Sequence, residues 1–406
     1  MSNAEHASGS FGLDNFKKIG AIASGNVGEV YLVESNHGML AAAQGAYGTE
    51  SGKFAMKVLD KADIEKREKV RRAHMERDIL AKLCHPMVVH MFCCFQADSK
   101  LCYVMEYIAG GTLLDLQRTQ PQNRFCEQHA KFYLSEIILG LEYLHCHGVI
   151  YRDIKPENVL IRPSGHIVLS DFDLSFYAKS ASYIDLDIPN VKPQRFSMRG
   201  LRGKKNKNVN VNINVGFSLM TESQPRDSDQ LKVPRAVSFV GTDDYMAPEI
   251  IRGEKYCNRV DWWSFGILMY EMLNGETPFR GEDRIDTFAL IADTKHELRF
   301  KKDVKLGKHP KGLLKGLLHK EWEKRIHSNS VVKSHPFFKG VHWALLRNQE
   351  PPLKPNIKQV DTSTDSAPFM FKSQETNSAD TEETKATESE PEHNYSDFYF
   401  SRYTSS

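Results

Sequence analysis

Alternation of apolar and polar positions begins at Phe16 and runs through Ile19 and Ile22 into GNVGEVYLV, which predicts a strand, a tight glycine turn and a second strand. After a Gly- and Ala-rich excursion, HGMLAAAQGAYGTESG, read as a hairpin loop, FAMKVLD predicts a further strand. The charged stretch DIEKREKVRRAHMERDILAKL has helical spacing, with Val70, Met75, Ile79 and Leu83 on or near one face. MVVHMFCCFQ and KLCYVMEYI complete a strand-rich first lobe. From Leu113 the period changes to that of helices, the clearest being QHAKFYLSEIILGLEYLHCHG, which closes on Gly148. VDWWSFGILMYEML is apolar enough to be a central buried helix. The pattern predicts an α+β protein, with a small antiparallel sheet and one main helix in the first lobe and a larger, mainly helical second lobe.

Two stretches break the pattern. Residues 177–236 carry RGLRGKKNKN and then NVNVNINV, and are expected to form a long mobile insertion. Residues 357–393 are rich in Ser, Thr and Glu and are expected to be disordered. No internal repeat of the kind that builds solenoids is present. A length of 406 residues suits one large two-lobed domain with tails. Residues 1–13 are expected to be disordered, 14–338 to form the domain, and 339–406 to form a tail that is mostly disordered after 356.

Lys and Arg number 54 against 52 Asp and Glu, a net charge of +2, so no global field points to nucleic acid, and no specific nucleic-acid binding is expected. The seven cysteines form no paired CxxC framework, and Cys93 and Cys94 sit in an apolar run, as reduced and mostly buried thiols would. MSNAEHASGSFG lacks an apolar core for a signal peptide, and no run of about 18 apolar residues occurs. A soluble, cytoplasmic protein is expected, reaching a membrane only by recruitment.

The candidate chemistry lies in several short segments. In ASGNVGEV, Gly25 and Gly28 would let backbone amides approach phosphate oxygens, and Val30 returns the chain to a strand that would cover a purine; a plain hairpin is the alternative. FAMK puts Lys57 inside an apolar strand, where an ammonium needs anions: a carboxylate from the next helix, best placed at Glu76, and nucleotide phosphates. In YRDIKPENVL, Asp153 can accept the proton of a substrate hydroxyl, Lys155 can stabilise charge on a transferring group, and Asn158 offers a neutral oxygen to a metal. A surface turn of mixed charge is the alternative. Asp171 in LSDFDLS follows a predicted hairpin and can bridge the Mg2+ that neutralises a triphosphate. GTDDYMAPE and VDWWSFG complete the order.

With these segments in place, the chain resembles a eukaryotic protein kinase of the AGC group over about residues 14–356. The resemblance rests on Tyr151 where most kinases have His, on FAMKVLDK, RAHMERDIL and SFVGTDDYMAPE, and on the extension HPFFKGVHWALLRNQEPPLKP. Asp173 in place of the usual glycine after Asp-Phe, and the long insertion, are similar to plant AGC kinases related to phototropin and to the fungal flippase-kinase branch; LLRNQEPPLKP is more similar to the latter. The resemblance implies a bilobal protein-kinase fold, ATP and Mg2+ as cofactors, and phosphoryl transfer to Ser or Thr of protein substrates. It further implies signalling that regulates lipid flippases or cell polarity. It assigns Lys57 and Glu76 as an ion pair, Asp153 as catalytic base, Asn158 and Asp171 as metal ligands, and the backbone of Glu106 and Ile108 to adenine, with Met105 guarding the deeper pocket. Lys155 marks a serine/threonine specificity. Arg152 would dock a phosphate on the activation segment, Ser238 would be the target of an upstream activating kinase, and Thr242 would lie in the loop that meets substrate. Glu249 would pair with Arg325 as a structural bond, and a monomer is expected.

Three departures qualify the resemblance. Ala23 stands at the first glycine of the loop, which should weaken nucleotide binding without abolishing it. Asp173 removes a flexible hinge beside Phe172, although the named relatives share it. Thr112 stands where many members carry an acid; Glu157 remains, so a preference for arginine upstream of the acceptor is expected in blunted form. These motivate the alternative of a pseudokinase acting as a scaffold, and a small-molecule phosphotransferase is a third reading. In YSDFYF, Tyr395, Phe398 and Phe400 would anchor to the small lobe as a hydrophobic motif, with Tyr399 at the usual Ser or Thr and Ser401 as a substitute switch, or form an unrelated peptide motif. Lys192, Arg195, Arg199, Arg202, Lys204, Lys205 and Lys207 could bind anionic lipid, giving peripheral membrane contact, or direct nuclear import; a plain solvated loop is the alternative.

Overall fold

The computed structural model describes residues 11–24, 28–35, 40, 52–178, 243–254, 256–357, 395 and 397–402. Gly25, Ser238, Thr242, the basic stretch between Lys192 and Lys207, and residues 358–394 lie outside them. The chain forms two units: Met1–Lys82 with His90–Tyr107 and Gln359–Ser406, and Leu83–Val89 with Ile108–Lys358.

The first unit is built on one antiparallel sheet of order β1-β2-β3-β5-β4-β10. Its strands are β1 (Lys17–Ser24), β2 (Gly28–Glu34), β3 (Lys53–Asp60), β4 (Met91–Ala97), β5 (Lys100–Glu106) and β10 (Phe400–Ser401). The period-2 pattern of FAMKVLD sends Phe54, Met56 and Val58 into a core with Phe16, Val33 and Phe92. Lys57 therefore sits among residues of opposite pleat, in register with Val30 on β2 and Tyr103 on β5.

The stretch expected to be one helix is two, α1 (Lys61–Lys66) and α2 (Val70–Lys82). Asp60 caps α1 by accepting from the Asp63 amide at 3.1 Å. The chain then breaks at Glu68, whose φ is +52°, because EKREKV offers no apolar face to hold a continuous turn against the sheet. The break rotates α2, so that Arg72, Ala73, Glu76, Ile79 and Leu80 are buried and Val70 and Met75 are only half-buried. Of the cysteines, Cys93, Cys94, Cys102 and Cys257 are buried, Cys84, Cys126 and Cys146 are exposed, and none is in a disulfide. Burial pushes the Cys94 and Cys102 thiols up to about 12, which leaves them unreactive.

The second unit is mainly helical: α3 (Leu113–Arg118), α4 (Glu127–Cys146), α5 (Pro248–Ile251), α6 (Arg259–Asn274), α7 (Arg284–Ala292), α8 (Lys308–Leu317) and α9 (Asn329–Ser334). Strand pairs β6 (Val149–Ile150) with β9 (Phe176–Tyr177), and β7 (Val159–Ile161) with β8 (Ile167–Leu169), frame one loop. Helix α4 ends where expected, at Gly148 with φ +70°. Helix α6 is buried almost all round, as its composition predicts. The expected Glu249–Arg325 pair is formed at 2.6 and 2.8 Å, both side chains being at most 1% exposed. The guanidinium also lies 5.1 Å from the ring of Trp263. The extension reaches this unit through Leu353, whose carbonyl accepts from the Tyr133 hydroxyl at 3.3 Å. Among the described residues no helix is long and apolar enough to cross a membrane.

Removing one partner of a buried ion pair strands the other charge, so Arg325→Met should cost about 3–5 kcal/mol. Chemical denaturation followed by the fluorescence of the buried Trp262 and Trp263 measures this; an unchanged midpoint would remove the pair from the list of stabilising contacts.

Candidate functional site

In the first unit, the Lys57 ammonium donates to both oxygens of Glu76 at 2.7 and 2.9 Å. The two are the expected partners, one delivered by the central strand and the other by the rotated face of α2. The Tyr103 ring lies 5.9 Å from the Lys57 nitrogen, and its hydroxyl ties to the Ala73 carbonyl of α2 at 2.8 Å. Ala23 and Val30 face each other across β1 and β2. Gly28 has a packing reason that its expected phosphate role did not include: a Cβ there would stand 2.4 Å from the Val58 carbonyl oxygen. Glu106 is buried and serves the first unit, its carboxylate accepting from the His90 amide at 2.9 Å. Its own amide donates to the His90 carbonyl at 2.9 Å, so that amide is spent within the first unit. Ile108 is a buried residue of the second unit, 8% exposed.

The last residues of the chain dock on this unit. Phe398 is fully buried, edge-on to Tyr103 at 5.4 Å and to His74 at 5.6 Å. Tyr395 stacks on His74 at 5.8 Å and donates to Glu65 at 2.9 Å. Phe400 pairs with Cys94, and Ser401 with Cys93, extending the sheet. The expected anchors thus meet the small unit, whereas Tyr399 is 40% exposed. Two clamps were not anticipated. Arg77 donates to the Asp397 carbonyl at 2.6 Å, and Arg402 donates to the carbonyls of Met91 at 2.9 Å and Leu80 at 2.7 Å. Single charges in a polar terminus carry no sequence signal for such contacts.

In the second unit, Asp261 is buried without exposure and accepts from the amides of Tyr151 at 3.0 Å and Arg152 at 2.7 Å. The His145 Nε2 lies 2.8 Å from the same carboxylate. This holds Arg152 at φ +64° and sets the direction of the next residue, Asp153. Sequence reading passed over Asp261; its signal is an acid inside an otherwise apolar helix. The Tyr151 hydroxyl donates to the Ser170 carbonyl. Burial holds that phenol well above its ordinary range, with the carboxylates of Asp153, Asp171 and Asp261 adding.

Asp153 accepts from Lys155 at 2.9 and 3.1 Å and from the Asn158 amide at 2.6 Å. Burial nevertheless pushes its carboxyl above the ordinary value; Lys155 opposes the shift, and the charge of Asp171 adds to it. The result is a held carboxylate more basic than a free one, which suits proton acceptance. Asp171 is exposed beside the buried Phe172, with φ +57°. Among the described residues no group of three or more His, Cys, Asp or Glu gathers to cage a metal. The carboxylate of Asp171 and the amide oxygen of Asn158, whose nitrogen is spent on Asp153, form a sparse oxygen set. That set fits Mg2+, which takes one or two carboxylates and completes its shell with water and phosphate oxygens.

Arg152 donates from Nε to the Leu174 carbonyl at 2.5 Å and from Nη1 to the Tyr256 hydroxyl at 2.8 Å. Its guanidinium lies 4.3 Å from the Phe176 ring, so it already touches the segment that follows Asp171. Glu157 is exposed. Near it, burial raises the Glu271 carboxyl; the Tyr245 hydroxyl bond opposes this, and the charges of Glu157 and Asp244 add to it. Glu271 was missed because MYEML reads only as a buried helix. Thr112 caps α3, accepting from the Asp115 amide at 3.0 Å, while Asp115 returns a bond to the Thr112 amide at 3.1 Å. The T-x-x-D spacing could have shown this capping box.

Compared with known proteins, residues 16–188 and 216–338 match the family described as Protein kinase domain. The chain is 40% identical over 365 residues to the serine/threonine-protein kinase AGC1-5 of Arabidopsis thaliana, covering 85% of this chain and 60% of that protein. It is 39% identical over 351 residues to flippase kinase 1 of Saccharomyces cerevisiae, covering 86% of this chain and 34% of that protein. It is 38% identical over 345 residues to phototropin-2 of Oryza sativa subsp. japonica, covering 84% and 34%. The chain thus spans 60% of the first relative and about a third of the other two.

A carboxyl whose pKa is raised by folding is paid for in stability above the ordinary carboxylate range, about 3.9, and not below it, where both states are protonated. Asp153→Asn should therefore raise the thermal midpoint at pH 7, and the gain should shrink as pH falls toward the acid range. Thermal unfolding of both proteins across pH tests this. A midpoint lowered by the substitution would mean that the contacts of Lys155 and Asn158 outweigh burial.

Proposed function

The chain belongs to the protein kinase family, in its AGC group, and from that premise we propose that it transfers the γ-phosphate of ATP to serine or threonine hydroxyls of protein substrates. The observation that carries this reading is the held, basic carboxylate of Asp153 with Lys155 and Asn158 on it. Asp153 orients the acceptor hydroxyl and takes its proton as the oxygen attacks phosphorus; the bond to the ADP oxygen breaks, and ADP leaves with that electron pair. Lys155 faces negative charge gathered on the transferred group. Lys57, kept in place by Glu76, binds nucleotide phosphates. Asp171 and Asn158 would hold Mg2+, which neutralises phosphate charge when bound. As the family resemblance implies, Gly25, Gly28, Ala23 and Val30 would cover the nucleotide, and adenine would be met by backbone of Glu106 and Ile108.

Glu157, exposed and close enough to raise Glu271 together with Asp244, supports selection of a basic residue near the acceptor. Ser238 is the site for an upstream activating kinase, and Arg152 receives its phosphate. The similarity to a protein named flippase kinase supports lipid flippases as the substrate class. Phospholipid asymmetry that stays intact in cells lacking this chain would argue against it.

Transfer of labelled γ-phosphate to a degenerate Ser/Thr peptide array with Mg2+ tests the activity. Asp153→Asn should lower the rate by about 10²–10⁴-fold, the span that a positioned base supplies, and Ser238→Ala should lower it less. Peptides with upstream arginine should lead the array. No transfer after treatment with an activating kinase would overturn the proposal in favour of a scaffold.

A further inference from the structure

One stretch of the second unit has a charge balance unlike the rest of the chain. Between Arg299 and Lys320 the sequence carries eight Lys and Arg against the single acid Asp303, in a protein whose overall net charge is +2. Some of these charges are spent inside the fold. Lys320 is buried and donates to the carbonyls of Leu290 and Asp293, and Lys301 pairs with Glu276 at 2.9 Å. Asp303 is taken by Arg124 at 3.3 Å. Of the six that remain, Lys311 is half-buried with its nitrogen 5.7 Å from the Phe300 ring, whereas Arg299, Lys302, Lys305, Lys308 and Lys315 are exposed, and among the described residues no carboxylate pairs with any of them.

Helix α8 fixes part of this array. Its apolar side, Leu313, Leu314 and Leu317, is buried, so the helix is anchored and its lysine side cannot turn inward. Lys308, Lys311 and Lys315 follow i, i+3, i+7 spacing, one stripe about 10 Å long. The stripe is not an anion pocket at the helix start, since the Gly307 amide is already taken by the Glu127 carboxylate at 2.7 Å.

We propose that this face is a docking surface for an anionic lipid bilayer. Two features select a bilayer over a shaped acidic ligand. Apart from Arg299, the exposed cations are lysines, compact point charges on long stems, whereas recognition of individual carboxylates or phosphates by bidentate bonds favours arginine. Lys308 and Lys315 stand on the open side of α8, and Lys302 and Lys305 are exposed in the segment just before it, an arrangement that suits a surface of many diffuse charges. None of the large exposed apolar side chains of the described residues falls between Arg299 and Lys320. Contact is therefore electrostatic and superficial, without insertion. The proposal is independent of the kinase reading and of the basic stretch between Lys192 and Lys207.

The test is sedimentation of the whole chain with vesicles of phosphatidylcholine alone or with about 30% phosphatidylserine, comparing wild type with a Lys302→Gln, Lys305→Gln, Lys308→Gln, Lys315→Gln variant. A second variant carries glutamine at the basic positions from Lys192 to Lys207. Wild type should bind only the anionic vesicles, at least tenfold more weakly at about 300 mM salt than at about 50 mM. The four-lysine variant should lose at least about 50-fold in affinity, with unchanged thermal unfolding and unchanged transfer to a soluble peptide. The proposal is overturned by full binding in the four-lysine variant, by loss of binding only in the second variant, or by equal binding to neutral vesicles. It also fails if an acidic peptide at equal charge concentration displaces the vesicles.

Discussion

A carboxylate without access to water costs several kcal/mol unless its charge is met by donors, and Asp261 meets this condition by drawing three parts of the second unit together. Two consecutive backbone amides, those of Tyr151 and Arg152, point at it, and His145 arrives from the end of α4. Arg152 accepts a left-handed backbone, at a cost on the order of 1 kcal/mol, because both amides can then reach the same side chain. The chain leaves that turn directly into Asp153. The direction of the candidate base is thus set by a residue buried in the first turn of α6. The burial of Tyr151 follows from the same anchor, and its hydroxyl reaches the Ser170 carbonyl next to Asp171.

The first unit solves a similar problem with a different part of the chain. Lys57 needs Glu76, and Glu76 needs α2 turned the right way. That orientation is reinforced from Tyr103, which hydrogen-bonds α2 at Ala73, and from Phe398 packed edge-on against Tyr103. Burying Phe398 contributes roughly 1.5–3 kcal/mol, and Arg402 ties the same segment to the carbonyls at the end of α2 and the start of β4. Residues more than 300 positions downstream therefore complete the neighbourhood of the ion pair.

Much of this was legible where a single periodicity or a contiguous motif carried the signal. FAMKVLD alternates because one face of β3 fills the core. The stop at Gly148 and the all-round apolar α6 follow from composition. Asp153, Lys155 and Asn158 are close in sequence and close in space, so spacing alone grouped them. Features that depend on partners far along the chain were not legible. The break at Glu68 is decided by the sheet onto which α2 packs, not by helical propensity. Asp261 and Glu271 looked like minor interruptions of an apolar run, although one organises the loop and the other joins an acidic group. Thr112 was read only for the acid it replaces, while its own hydroxyl starts a helix.

That replacement has a consequence for recognition. A capping threonine contributes about 1 kcal/mol to its helix but no charge, so under the proposed function attraction for a basic peptide would fall to Glu157, Asp244 and Glu271 in the same unit. Burial and mutual repulsion raise the Glu271 carboxyl, which means the group holds its proton more readily when no cation is near. An arriving guanidinium reverses the sign of the local field and lowers that pKa again. If the cluster receives a basic residue, as the proposed function has it, that binding would be coupled to proton release and would strengthen as pH rises through the raised range of Glu271. On that reading, the selectivity that a fixed acid at position 112 would supply at every pH would depend, in this chain, on the ionisation of a half-buried carboxyl.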